Sequence, residues 1–171
     1  MRGHDYFLFE GQMMLFGTRE RHVKRILIVE DEPLVAFDNE TMVASAGYTV
    51  VATVDSVREA LAVLEREAAP SAEESEEVAG GIDLILTDIQ LTGKRSGIDL
   101  AAEAQARGIP VLFATANPPE ASDCNALGVL CKPYNERRLK AALKAVEQLL
   151  GGKAKVKAPD GVILFERRLA A

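Results

Sequence analysis

The sequence predicts an α/β fold in which a parallel sheet is covered by helices on both faces. Short, almost unbroken apolar runs recur along the chain, as in strands that are buried on both sides. Segments with helical composition and spacing lie between these runs, so that strand and helix alternate five times. Right-handed crossovers then make the strands parallel and distribute the helices over the two faces.

The first two strands and helices follow from residues 26–54 and the segment after them. Residues 26–29 form an apolar run, and Pro33 suits the first turn of a helix, where its missing N–H costs nothing. This helix is expected to stop at Gly47 and to be followed by a β-branched strand. A capped helix is predicted over residues 56–69.

The rest of the chain repeats the pattern. Two glycines lead into the next apolar run, and the last helix has apolar residues at helical spacing. The predicted elements are a strand at 82–87, a helix ending at Arg107 and Gly108, strands at 110–115 and 128–131, and a helix capped by Asn135 and ended by Gly151 and Gly152. Residues 161–165 are either a sixth strand or a docking segment.

Composition indicates a soluble globular protein, with 48% hydrophobic and 27% charged residues in a chain of 171. A net charge of −6 argues against binding to nucleic acid or to an anionic membrane. No apolar run approaches the roughly 20 residues that cross a bilayer, and charged residues interrupt the N-terminus where a secretory signal would lie. The two cysteines, Cys124 and Cys131, have neither metal-site nor disulfide-framework spacing. A cytoplasmic protein is expected.

The patterning also divides the chain. An acidic stretch at residues 70–81 is interpreted as a solvated surface loop or a helix extension. The apolar patches of the N-terminal extension are compatible with an extra strand or helix, and no function is assigned to them. The predicted division is an extension at 1–24, one domain at 25–150 and a tail at 151–171.

Polar residues stand at the carboxyl ends of four of the predicted strands. They are Glu30 with Asp31, then Asp88, Thr115 and Lys132. An isolated acid after a strand is more often a helix cap than a ligand. The carboxyl ends of parallel strands meet at one edge of the sheet, however, and ligands of open α/β sheets bind there. The conjunction therefore predicts one site.

The residue types explain what such a site does. Crowded carboxylates repel each other unless a cation neutralises them, and Mg²⁺ prefers one or two carboxylates with waters and phosphate oxygens. Asp31 and Asp88 are candidate Mg²⁺ ligands, with Glu30 acting through water. Asp88 is the candidate phosphoacceptor, forming an acyl phosphate. Lys132 would bind a phosphoryl oxygen, and the Thr115 hydroxyl would bind another only when phosphate is present.

Residues 24–150 resemble a bacterial response-regulator receiver domain. The resemblance implies a flavodoxin-like five-stranded parallel sheet of order 2-1-3-4-5. It also implies phosphotransfer to Asp88 from a histidine kinase or histidine phosphotransfer protein, the main-chain carbonyl of Gln90 as a Mg²⁺ ligand, and a cis peptide bond between Lys132 and Pro133. The matching motifs are Ile28-Val-Glu-Asp31, Thr87-Asp88, Phe113-Ala-Thr115 and Cys131-Lys-Pro133.

Three departures from the family pattern concern the response to phosphate. Val129 takes the place of the usual switch aromatic, and Thr92 takes that of a proline four residues after the phosphoacceptor. The segment from Thr115 to Lys132 is short, which predicts a shortened fourth helix. The Phe113-Ala-Thr115 motif is similar to stand-alone receivers with a Phe-Ala-Thr-Gly motif, although Ala116 replaces the glycine.

The favoured hypothesis is a single-domain, Mg²⁺-dependent response regulator that signals by contact with a downstream protein. It is not an enzyme beyond self-phosphorylation and dephosphorylation, and no DNA-binding domain is expected in the 21 residues after Leu150. The alternative is a receiver-like interaction module that works without phosphorylation. A cofactor-binding flavodoxin-like protein is disfavoured because residues 30–33 are acidic and lack glycine. Homodimer formation through the apolar ends stays open.

Overall fold

The computed structural model describes residues 21–68, 80–120 and 124–165. The predictions for residues 1–20, for most of the acidic stretch and for residues 166–171 lie outside these ranges. Within them, one sheet has the strand order β2-β1-β3-β4-β5-β6. Its strands are β1 (Arg25–Val29), β2 (Thr49–Val54), β3 (Leu84–Thr87), β4 (Val111–Thr115), β5 (Gly128–Cys131) and β6 (Val162–Leu164). The first five pair in parallel, which confirms the flavodoxin-like order.

Helices cover both faces of this sheet. In the described ranges they are α1 (Pro33–Ser45), α2 (Val57–Ala68), α3 (Gly97–Ala106) and α4 (Glu136–Leu150). Asn135 caps α4 by accepting a hydrogen bond from the backbone of Arg138, as the sequence predicts. Ser96 and Asp99 form a reciprocal capping box at the start of α3. Side chains therefore satisfy N–H groups in the first turns of α3 and α4, whereas α1 begins at Pro33, which has no N–H.

Alternate residues of each strand supply two separate cores. Ile26 and Ile28 pack on the face covered by α1 and α4, whereas Leu27 and Val29 pack on the face covered by α2 and α3. This alternation is the period of a β-strand, and it explains why the strands read as continuous apolar runs. Helices packed on both faces therefore support the edge of the sheet where the parallel strands end.

The connection between β4 and β5 contains no helix in its described parts, residues 116–120 and 124–127. For these described residues, the structure agrees with the prediction of a shortened fourth helix. Residues 121–123 lie outside the described part of the chain.

The tail extends the sheet. Of the two interpretations of residues 161–165, the sixth strand is correct: β6 pairs antiparallel with β5. The Cys131 N–H donates to the Gly161 carbonyl, and the Phe165 N–H donates to the Leu127 carbonyl. The side chain of Phe165 is buried in the same core as Val129 and Phe113. The tail thus covers part of the sheet face on which α2 and α3 also pack.

Residues 21–24, at the end of the predicted extension, are bound to the domain. The Glu147 carboxylate accepts hydrogen bonds from the backbone N–H groups of His22 and Val23. His22 is exposed, while Val23 is buried. None of the described helices is both long and apolar enough to cross a membrane.

Candidate functional site

The sheet register brings the predicted site residues to one edge. Val29 pairs with Thr87, and the Asp88 N–H donates to the Val29 carbonyl at 3.0 Å. Glu30 and Asp88 therefore leave two adjacent central strands at the same level. On the other side of β3, Thr115 pairs with Cys131 at the ends of β4 and β5.

Lys132 joins the two acidic residues. Its Nζ lies 2.7 Å from Asp88 Oδ2 and 2.8 Å from Glu30 Oε2. The side chains of Glu30, Asp88 and Lys132 are only 1%, 9% and 17% exposed. One ammonium group thus serves two carboxylates that water screens poorly, so the interaction is stronger than that of a surface pair.

The pKa values of this group follow from burial and from the shared ammonium. Burial raises the pKa of Glu30, although the hydrogen bonds from Lys132 and from the Glu32 backbone oppose the shift. Burial alone lowers the pKa of Lys132, but the hydrogen bonds to Asp88 and Glu30 outweigh it and raise the pKa overall. Lys132 therefore carries its positive charge at every physiological pH.

Asp88 is fixed by the loop that follows it. Its Oδ1 accepts a hydrogen bond from the Gln90 N–H at 3.1 Å. The Gly97 N–H donates to the Ile89 carbonyl, so α3 begins directly against this loop. A Cβ atom on Gly97 would lie 2.1 Å from the Asp88 carbonyl oxygen, a distance that real Cβ atoms do not reach. Glycine is therefore required there by close backbone approach.

Thr115 and Val129 lie beside this group. Thr115 is buried at the end of β4, and its Oγ1 accepts a hydrogen bond from the Asn117 N–H. The Lys132 N–H donates to the Thr115 carbonyl at 2.9 Å, which fixes the relative position of the two residues. Val129 is fully buried opposite Phe113 and is the small residue at the expected switch position.

A model of the response regulator receiver domain matches residues 26–144 of the chain. The chain belongs to the response regulator receiver domain family. It is therefore a receiver domain of the kind used in two-component signalling.

One curated relative and two solved structures are similar to this chain. The phyllosphere-induced regulator PhyR of Methylorubrum extorquens is 35% identical over 94 residues, which are 54% of this chain and 31% of PhyR. The crystal structure of the anti-anti-sigma factor PhyR from Bartonella quintana has a TM-score of 0.58 at 29% identity, covering 90% of this chain and 57% of that one. A CheY-like receiver domain protein from Methanospirillum hungatei shares the fold, with a TM-score of 0.61 at 22% identity over 77% of this chain and 99% of its own. The chain thus spans only part of the PhyR proteins that it matches.

Asp31, at the end of β1 beyond Glu30, contacts the loop after β3. Its Oδ2 accepts hydrogen bonds from both the N–H and the hydroxyl of Thr92, at 2.8 Å and 2.5 Å. In the sequence Thr92 is visible only as a departure from the family pattern, and nothing in the sequence connects it with Asp31. The Lys132–Pro133 peptide bond is cis.

The donor set of the receiver domain suits a hard divalent cation. The carboxylates of Glu30, Asp31 and Asp88 offer oxygen atoms at one edge, as Mg²⁺ prefers. In the described ranges no three His, Cys, Asp or Glu side chains form a group that could hold a metal ion by themselves. Lys132 contacts both Glu30 and Asp88, and Thr92 contacts Asp31. Asp31, Asp88 and the Gln90 carbonyl are the groups that would hold Mg²⁺, with Glu30 behind them.

Proposed function

We propose that Asp88 accepts a phosphoryl group from a phosphohistidine of a histidine kinase or a histidine phosphotransfer protein. The observation that carries the proposal is the Lys132 ammonium, which lies 2.7 Å from Asp88 Oδ2 in a largely buried setting. Such a contact places a positive charge beside the carboxylate oxygens of Asp88, one of which would be the nucleophile. A carboxylate of purely structural use would not need to stand at the ligand-binding edge of the sheet.

In this reaction an Asp88 oxygen attacks phosphorus, the N–P bond breaks, and the departing imidazole nitrogen keeps the electron pair. The product is an acyl phosphate, which water later hydrolyses to inorganic phosphate. Mg²⁺, when bound, would neutralise charge on the phosphoryl oxygens. Lys132 is placed to bind one phosphoryl oxygen by exchanging its contact with Asp88 for a contact with the phosphate. In this proposal the protein is a phosphoacceptor whose only chemistry is its own phosphorylation and dephosphorylation.

Thr115 and the tail are proposed to convey the modified state. The hydroxyl of Thr115 ends β4 beside Lys132 and can donate a hydrogen bond to a phosphoryl oxygen. Movement of Thr115 would act on β5, with which its strand pairs, and through β5 on β6. Val129 belongs to β5 and therefore lies on this route, but it lacks the aromatic ring that usually moves at this position.

The output is proposed to be a contact with a downstream protein in the cytoplasm. The Bartonella quintana relative is an anti-anti-sigma factor, which supports a protein and not DNA as the target. The net charge of −6 agrees with this proposal, since a strongly acidic chain is repelled by nucleic acid.

The test is labelling of the full chain with a phosphorylated histidine kinase, or with acetyl phosphate and Mg²⁺. The wild type is expected to gain one phosphoryl group in an acyl phosphate that hydroxylamine removes. Asp88→Asn should gain none. Asp55→Asn changes an exposed carboxylate at the same edge and serves as the matched control, which should be labelled normally. Labelling of Asp88→Asn equal to that of the wild type would end the proposal.

A second candidate is a receiver-like module that acts without phosphorylation. Two observations favour it: the small Val129 at the switch position, and the absence of a helix in the described residues between β4 and β5. Hydrogen exchange with and without beryllofluoride and Mg²⁺ separates the candidates. A phosphorylation-dependent regulator should change its exchange in β4, β5 and β6, whereas a fixed module should not.

A further inference from the structure

We propose that Thr92 is a positioning residue of the metal site, which ties Asp31 to the loop that carries the Gln90 carbonyl. The inference rests on the proposed function, because it concerns the Mg²⁺ that phosphotransfer to Asp88 would use. It assigns a role to the residue that stands where the family pattern has proline.

The contact joins two loops that are far apart in sequence. Thr92 donates its backbone N–H and its hydroxyl to the same oxygen, Asp31 Oδ2, at 2.8 Å and 2.5 Å. Asp31 follows β1, and Thr92 follows β3, 61 residues later. Two donors on one carboxylate oxygen fix both the position and the rotation of the Asp31 side chain.

The loop that holds Asp31 is itself anchored. The Gln90 N–H donates to Asp88 Oδ1, and the Gly97 N–H closes the base of the loop on the Ile89 carbonyl. Asp31, Gln90 and Asp88 are the three groups that would hold Mg²⁺, so one short loop links all of them. Hydrogen bonds that orient ligands in this way generally strengthen metal binding.

The two hydrogen bonds from Thr92 go to the same oxygen of Asp31 and so do not occupy the other one. Oδ2 takes both donors of Thr92, whereas Oδ1 accepts no hydrogen bond from the described residues. Asp31 is only half-buried, so without Thr92 its carboxylate would sample several rotamers. Proline at this position lacks both the N–H and the hydroxyl and could make neither contact. Thr92 therefore reduces the conformational entropy that the Asp31 side chain loses when the metal binds.

The test is Mg²⁺ affinity, measured by calorimetric titration of the full chain without any phosphodonor. Thr92→Val keeps the N–H and the shape but removes the hydroxyl, and should weaken Mg²⁺ binding about tenfold. Thr92→Pro removes both donors and should weaken it by up to about 100-fold. Thr92→Ser keeps both donors and should bind Mg²⁺ as the wild type does. Equal or tighter binding by either the Val or the Pro variant would overturn the inference.

A second measurement needs no substitution. The Thr92 amide should be protected from hydrogen exchange in NMR spectra both before and after Mg²⁺ is added, because the contact persists in the metal-bound state. Loss of protection on adding Mg²⁺ would mean that Thr92 competes with the ion, which also overturns the inference. Thermal melting without Mg²⁺ checks that each variant is folded.

These experiments separate the two proposals. If the wild type takes a phosphoryl group on Asp88 and binds Mg²⁺, but Thr92→Val binds the ion equally well, only the role of Thr92 is refuted. If the wild type shows no Mg²⁺ binding at all, the metal site of the proposed function falls, and the role of Thr92 falls with it.

Discussion

Lys132 is the positive charge between two buried carboxylates, so replacing it with alanine measures how strongly the site is held together. The variant leaves Glu30 and Asp88 facing each other with no cation, and their side chains are 1% and 9% exposed. Removing one partner of a buried ion pair costs about 3–5 kcal/mol. Because Lys132 itself is 17% exposed, the lower end, about 3 kcal/mol, is expected. For a chain of this size that loss lowers Tm by about 6–12 °C.

Urea and thermal unfolding at neutral pH, without Mg²⁺, measure this loss. Lys140→Ala is the control, since Lys140 pairs with Glu136 on the exposed surface of α4 and its removal should cost less than about 0.5 kcal/mol. The double variant Lys132→Ala with Glu30→Gln should regain stability over Lys132→Ala, because only one unpaired charge remains. A free energy of unfolding for Lys132→Ala within about 1 kcal/mol of the wild type would refute the view that its charge holds the site.

Three further predictions concern the surroundings of the site. Phe165→Ala should lower the free energy of unfolding by about 3 kcal/mol, because the ring is buried in the core. Ile163→Ala changes an exposed side chain of the same tail and should lower it by less than about 1 kcal/mol. Equal losses for the two variants would contradict the docking of the tail. Burial raises the pKa of Tyr134 to about 12, so the unfolded chain loses this proton first and stability should fall as pH rises from about 10 to about 12. Tyr134→Phe should show a shallower fall in alkaline urea titrations, and an identical slope would exclude this cause. Gly97→Ala should both destabilise the fold and slow labelling of Asp88, since its Cβ would collide with the Asp88 carbonyl; normal kinetics of acyl phosphate formation would show that the loop adapts.

The central architecture could be predicted from the sequence because its strands are buried on both faces. Strand residues such as Ile26, Leu27 and Leu86 can be recognised from the sequence alone, since a short unbroken apolar run is typical of a strand buried on both faces. The position of Asp88 and Lys132 at one edge then follows from parallel pairing alone. Parallel pairing therefore specifies which residues meet at the edge, although it gives no distances between them.

The remaining features depend on contacts that no local pattern encodes. β6 has three residues, which is too short for an alternating signal, and only its pairing with β5 distinguishes it from a loop. The partner of Thr92 is 61 residues away, so its hydroxyl carries no sequence signal beyond the unexpected absence of proline. The sharing of Lys132 between Asp88 and Glu30 likewise depends on side-chain reach, which spacing does not specify.

The antiparallel strand β6 covers the edge of β5 at the end of the sheet. While β6 is in place, the backbone groups of β5 that would accept a neighbouring strand are already paired with the chain's own residues. A Cβ atom on Gly128 would lie 2.2 Å from the Ile163 carbonyl oxygen, so the pairing of β6 with β5 requires glycine at this position. Any strand-like segment that adds to β5 must first displace residues 161–165, and self-association along that edge competes with the folding of the tail.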